Sequence, residues 1–159
     1  MNITTFRIDD RLIHGQVAMA WTRDLGIQGI MVADDEAASN EMQKMTLKMA
    51  VPDGIKCIIK TVPEIIALLN NPRSEGMRIL VLVKTVKNAL EVYKAVPGIE
   101  YVNIGNAGRF TSGDGTERTI ISRSVSLTPD EVEALKELAA LAPDTALQMV
   151  PSDEKKLVS

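Results

Sequence analysis

The chain has 159 residues, 45% hydrophobic and 25% charged, with 18 basic and 21 acidic side chains and a net charge of −3. That is ordinary composition for one globular domain; it excludes disorder, gives no basic field for nucleic acid, and holds no apolar run near the ~20 residues of a membrane span. A single cysteine excludes an internal disulfide, and the amino terminus lacks the charged and apolar regions of a secretion signal, so a cytoplasmic protein is expected.

Strand and helix patterns alternate from end to end. Ile3–Ile8 reads as a first strand, and His14 to about Asp24 as a helix with Val17, Trp21 and Leu25 on its apolar stripe and Gly26 as its stop. Gly29–Ala33 is a short apolar strand ending in Asp34-Asp35. The helix that follows is expected from about Ala37 to Met49, with Met42, Met45 and Met49 at helical spacing read as core packing, and Pro52-Asp53-Gly54 closing it. Ile55–Ile59 is a third strand, with Cys57 read as a buried, inert thiol inside it.

Thr61-Val62-Pro63-Glu64 carries capping-box chemistry and a helix-start proline, followed by Ile65, Ile66, Leu68 and Leu69; Asn70-Asn71-Pro72 ends that helix. Ile79–Val83 is a buried strand. The next helix sets Val86, Ala89, Leu90, Tyr93 and Val96 on one side and stops at Pro97-Gly98, with Lys84 and a capping Thr85 before it. Tyr101–Gly105 is a fifth strand. From Asn106 to Ser126 glycines and alternation replace it, with Ser112-Gly113-Asp114-Gly115 as a hairpin turn and Gly105-Asn106-Ala107-Gly108 as a tight turn leading in. Thr128-Pro129-Asp130-Glu131 repeats the capping-box pattern ahead of Val132, Leu135 and Leu138, and Ala146–Val150 closes with a last strand. Short continuous apolar strands separated by amphipathic helices predict an α/β fold: one domain over residues 1–159, doubly wound, with a mainly parallel sheet covered by helices on both faces and a short hairpin in the C-terminal third.

Chemistry concentrates where the first strand meets the first helix, the place where such sheets build their sites. The only histidine, His14, begins that helix, so the N–H groups of Gly15, Gln16 and Val17 are free to face an anion, and Gly15 has no side chain to obstruct its approach. A helix N-terminus disfavours imidazolium, whereas Asp9 and Asp10 favour it; one carboxylate can also hold an imidazole N–H and leave the other nitrogen as nucleophile. Arg11 and Arg7 are natural phosphate partners because a guanidinium forks onto two oxygens, Arg7 being equally suited to a salt bridge with Asp9, Asp10 or Asp34. Asp34, at the end of the second strand, is expected to line the pocket. No metal or cofactor is expected from this set.

The run Arg7–Val17, followed by Trp21, resembles the signature of the enzyme IIB component of the mannose/fructose/sorbose-family phosphotransferase system. The resemblance continues through Val32–Glu36, Lys48–Pro52, Val102–Asn106, Ser124–Thr128 and Gln148–Ser152, and so spans nearly the whole chain. It implies a doubly wound sheet, a phosphoryl group accepted on His14 through Nδ1 from a phosphohistidine of a separate IIA protein, and delivery to a sugar imported by the membrane components IIC and IID. Asp9 and Arg11 fall on positions that surround the histidine in the family, and the protein would work in the cytoplasm, peripherally associated with the permease. The segment Gly108–Glu117, which contains Arg109, is longer than the family pattern.

Three other readings compete. Asp9-Asp10 and Lys84 suit a receiver-like signalling domain, but the third strand ends in Ile58-Ile59-Lys60 with no aspartate to phosphorylate. A nucleotide-binding domain lacks the G-x-G-x-x-G run after the first strand. A sugar-responsive binding module would bind sugar without phosphorylation.

Overall fold

The computed structural model describes residues 2–71, 76–108 and 118–158. The turn expected at Ser112-Gly113-Asp114-Gly115, and Arg109, lie outside the described residues. Seven strands form one sheet in the order β3-β2-β4-β1-β5-β8-β9, every pairing parallel except the last, β8 with β9. The strands are β1 (Asn2–Asp9), β2 (Gly29–Ala33), β3 (Lys56–Lys60), β4 (Arg78–Val83), β5 (Val102–Asn106), β8 (Ala146–Leu147) and β9 (Lys156–Leu157); β6 (Thr119–Ser122) and β7 (Val125–Leu127) pair separately as the hairpin.

Helices cover both faces, as the apolar runs require. α1 (Gly15–Leu25) and α3 (Glu41–Met49) pack Trp21, Ala18 and Leu47 on one face against Ile30, Val32, Leu80 and Leu82. α4 (Val62–Leu69), α5 (Val86–Ala95) and α6 (Pro129–Leu141) cover the other, where Ile65, Val86, Val92 and Leu138 meet Phe6, Ile8, Val81 and Ile104. The connection leaving β1 therefore runs over one face and that leaving the neighbouring β4 over the other. A crevice opens at their carboxyl ends, the usual ligand position in this architecture.

Two expected elements change. The single helix over Ala37–Met49 is two: α2 (Asp35–Ala38) and α3, with Asn40 accepting a hydrogen bond from Gln43 N–H at 3.0 Å to start the second. The methionines are not core: Met42, Met45 and Met49 are 79%, 66% and 81% exposed, and Leu47 is the buried residue of α3. Nine residues lying over an edge of the sheet bury one narrow stripe, and the methionine row falls off it. Cys57 sits on that edge strand and is half-buried; burial raises its thiol pKa, away from the reactive thiolate. The closing strand stops at Leu147; Gln148 N–H still donates to Ile104 O at 3.1 Å, and Val150 N–H donates to the Asp153 carboxylate at 3.2 Å.

The capping box holds at Thr61 and Glu64. At α6 it does not close: Thr128 accepts from Glu131 N–H at 3.4 Å, but the Glu131 carboxylate reaches across to accept from Val86 N–H at 3.1 Å, at the start of α5. Burial pushes the Glu131 carboxyl above its usual value, opposed by Lys87. The folded state then keeps this proton to higher pH than the unfolded chain, so stability from this group is greatest below the unfolded value and falls as pH rises through the folded one. Glu131→Gln keeps an acceptor for Val86 without the charge. Thermal melts from acid to neutral pH should show the variant at least as stable as the parent at neutral pH, with that component of the pH dependence gone.

Candidate functional site

The site grows from the end of β1. Arg7 and Asp9 point to the face covered by α1, between β4 and β5, and both are enclosed, at 1% and 0% exposure. One carboxylate serves two guanidiniums. Asp9 Oδ1 accepts from Arg11 N–H and Nε, each at 3.0 Å; Oδ2 accepts from Arg11 Nη2 at 2.8 Å and Arg7 Nη2 at 3.2 Å. The Asp9 bonds hold the Arg11 guanidinium pKa above its usual value, burial opposing; desolvation lowers that of Arg7, with Asp9 restoring part of it. Neighbouring Asp10 adds a second negative charge that acts on Arg11, so the two guanidiniums are held by two carboxylates.

Arg7 is held from behind. Its Nη1 donates to the Asn103 side-chain oxygen and to Gln148 O (2.9 Å), and its guanidinium lies 5.4 Å from the Trp21 ring centre. Trp21 Nε1 donates to Met149 O at 2.9 Å, and Met149 Sδ lies 3.5 Å from Arg7 Nη2 and 3.3 Å from Arg11 Nη2. A Cβ at Gly105 would occupy the volume of the Arg7 guanidinium. That glycine is there to let an arginine cross β5, not to make the tight turn expected of it. Asn106, with its amide oxygen turned to Arg11, accepts from Nε at 2.7 Å and Nη2 at 3.1 Å.

From this cluster the chain makes a compact loop into α1. Leu12 N–H donates to Asp9 O at 2.8 Å, and Leu12 adopts φ +60°, a left-handed conformation that costs a leucine energy and is kept because its side chain is buried. His14 follows, exposed, as the N-cap residue of α1. The other five helices of the described residues each begin under a capping side chain, from Asp34, Asn40, Thr61, Thr85 and Thr128; α1 does not, and its first turn holds no acidic residue. The first bond of α1 is Ala18 N–H to His14 O, so the N–H groups of Gly15, Gln16 and Val17 find no acceptor among the described residues. A Cβ at Gly15 would meet nothing within 4 Å. Among the described residues, this is the one helix N-terminus without a capping side chain.

The residues expected at the site are thus divided. Asp9, Arg7 and Arg11 come together, with His14 and the α1 amides next in the chain. Asp10 is buried, its N–H donating to Asn106 O at 3.0 Å. Asp34 lies two strands from β1, because β4 intervenes, and its carboxylate accepts from Ala37 N–H at 2.9 Å as the cap of α2. Thr85 caps α5, as expected. Asn103, Gly105, Asn106, Gln148 and Met149 were not picked out as partners of the cluster. A polar Asn103 within an apolar strand, and Gln148 beside another, were the available signals.

Paired guanidiniums, open helix amides and one exposed imidazole at the carboxyl end of a central strand of a doubly wound sheet form an arrangement suited to an anionic group. The family of sorbose-subfamily IIB components of the phosphotransferase system matches residues 3–159. A probable phosphotransferase enzyme IIB component of Streptococcus pyogenes is 47% identical over 96% of this chain and 94% of its own length, and the sorbose-specific EIIB component of Lacticaseibacillus casei is 35% identical over 96% and 90%. The IIBSor domain of the sorbose permease from Klebsiella pneumoniae superposes with a TM-score of 0.87 at 30% identity, over 98% of this chain and 92% of that one. The chain belongs to the sorbose-subfamily phosphotransferase-system IIB components. It is a phosphohistidine phosphotransferase that relays a phosphoryl group from a IIA protein to a sugar. No helix among the described residues is long and apolar enough to cross a membrane.

Proposed function

We propose that His14 is the residue that carries the phosphoryl group, within one IIB unit spanning residues 1–159. The observation that carries this reading is that α1, alone among the six helices of the described residues, starts without a side-chain cap, and that the residue in the capping position is the chain's only histidine.

The neutral His14 imidazole attacks the phosphorus of the IIA phosphohistidine in line. A new P–N bond forms as the old one breaks, and the IIA imidazole leaves with its electron pair. Little covalent work falls to the protein, so positioning and electrostatics dominate. The N–H groups of Gly15, Gln16 and Val17, with Arg11, meet the charge on the equatorial oxygens. Asp9 fixes the Arg11 fork, and enclosed Arg7 fixes Asp9. In the second step a sugar hydroxyl attacks phospho-His14, the P–N bond breaks, and the hydroxyl proton is released to a base. The sugar is presented by the membrane components IIC and IID, so the protein works in the cytoplasm, peripherally at the permease. Sugar choice rests mainly with those components. No metal or cofactor enters.

The lability of the bound phosphate separates this from the receiver-like reading. Protein charged by phospho-IIA should lose its label in acid and keep it in base, and peptide mass spectrometry should place the added mass on His14. A label lost in base and retained in acid, or mapped to Asp9, Asp10 or Asp34, overturns the assignment.

A further inference from the structure

Arg11 has few donors left to offer. Its Nε and Nη2 are given to Asp9 and Asn106, which leaves Nη1 as the guanidinium nitrogen with no partner among the described residues. A phosphoryl group in flight spreads its charge over three equatorial oxygens, and α1 can cover one side of it only. A second cation on the far side would complete the cradle.

Arg123 is a candidate for such a cation. It lies in the turn between β6 and β7, exposed, and no hydrogen bond or ion pair engages it among the described residues. The hairpin beneath it is fastened to the end of β5: Ala107 N–H donates to Ser124 O at 3.1 Å, Ser126 N–H to Ala107 O at 3.0 Å, and Ser124 Oγ to Gly105 O at 2.7 Å. The turn therefore holds Arg123 over the strand end that carries Asn106. There it lines two adjoining cavities, of about 390 and 330 Å³, which also share Ser124. Each contains a residue in contact with Arg11, Asn106 in the larger and Met149 in the smaller. Arg123, uncommitted, thus shares these cavities with the two residues, Asn106 and Met149, that touch the pinned Arg11.

We propose that Arg123 is a second phosphoryl-contacting cation, which reaches across these cavities to the group in transit at His14. The proposal rests on the His14 reading and adds a residue from a different part of the fold. It also gives the hairpin a role in the reaction: β6–β7 carries an uncommitted guanidinium beside residues that touch Arg11.

The test is single-turnover transfer from radiolabelled phospho-IIA to the parent protein, Arg123→Gln and Arg123→Lys, over a range of IIA concentrations. The glutamine variant should lose about a hundred- to a thousandfold in the maximal transfer rate, the scale of one donor to developing charge. Half-saturation by IIA and melting temperature should stay unchanged, and lysine should restore part of the rate. An unchanged maximal rate makes Arg123 a solvated surface cation and overturns the proposal. So does a loss confined to half-saturation, which makes Arg123 a docking contact for an acidic patch on the donor. Mapping the label on the parent keeps the two readings separable: mass on a residue other than His14 sinks the site assignment, whatever the variants do.

Discussion

Replacing His14 with alanine should abolish labelling by phospho-IIA while leaving the fold intact. The side chain is exposed and makes no capping hydrogen bond, so its removal costs the structure little, within about 0.5 kcal/mol as for other surface changes. Stability and activity part company further in His14→Asn. Asparagine is among the best N-cap residues and alanine among the poorest, a difference of about 1 kcal/mol. The asparagine variant should melt higher than the alanine variant and be equally inert. Calorimetry and a labelling gel on the same two samples decide this. Residual label on either variant, or a large fall in melting temperature for His14→Ala, would show that the imidazole has another task.

Asp9→Ala should be the most damaging single substitution to stability. Asp9 is fully enclosed and accepts four hydrogen bonds, so its removal strands the Arg7 guanidinium inside the protein and unpins Arg11. Breaking a buried charge pair from one side costs about 3–5 kcal/mol. For a chain of this size that is a fall of about 6–20 °C in melting temperature. Whatever folded fraction survives should also transfer slowly, because Arg11 has lost its aim. A melting temperature within about 2 °C of the parent, on a scale where each kcal/mol is worth 2–4 °C, would mean that Arg7 is satisfied without Asp9.

Much of this was legible in the sequence because the information is local. Gly29–Ala33 and Ile79–Val83 are unbroken apolar runs, and their burial follows. Thr61 and Thr85 announce helix starts with side chains that act within three residues. The β1–α1 junction carries its aspartate, arginine and histidine in six consecutive positions, Asp9 to His14, so the heart of the site could be read from one segment. What escaped is non-local. Gly105 resembles any turn glycine until Arg7, 98 positions earlier, is seen to need its space. Glu131 has capping-box spacing, but its carboxylate serves α5 instead of α6. The methionines of α3 follow helical spacing faithfully; periodicity tells which residues share a face, not whether anything covers it. Asp34 ends a strand that the chain order puts next after β1, whereas in the sheet β4 lies between them.

The sheet order carries one more implication. β1 lies between β4 and β5, bonded along both edges, so the loop bearing His14 springs from a strand with no free side. Such central strands exchange their amide hydrogens last and open only when the whole domain does. Donor and acceptor therefore meet a loop whose base is fixed at full domain stability, and the loose ends needed to greet two unlike visitors must be brought by the visitors or by the rim.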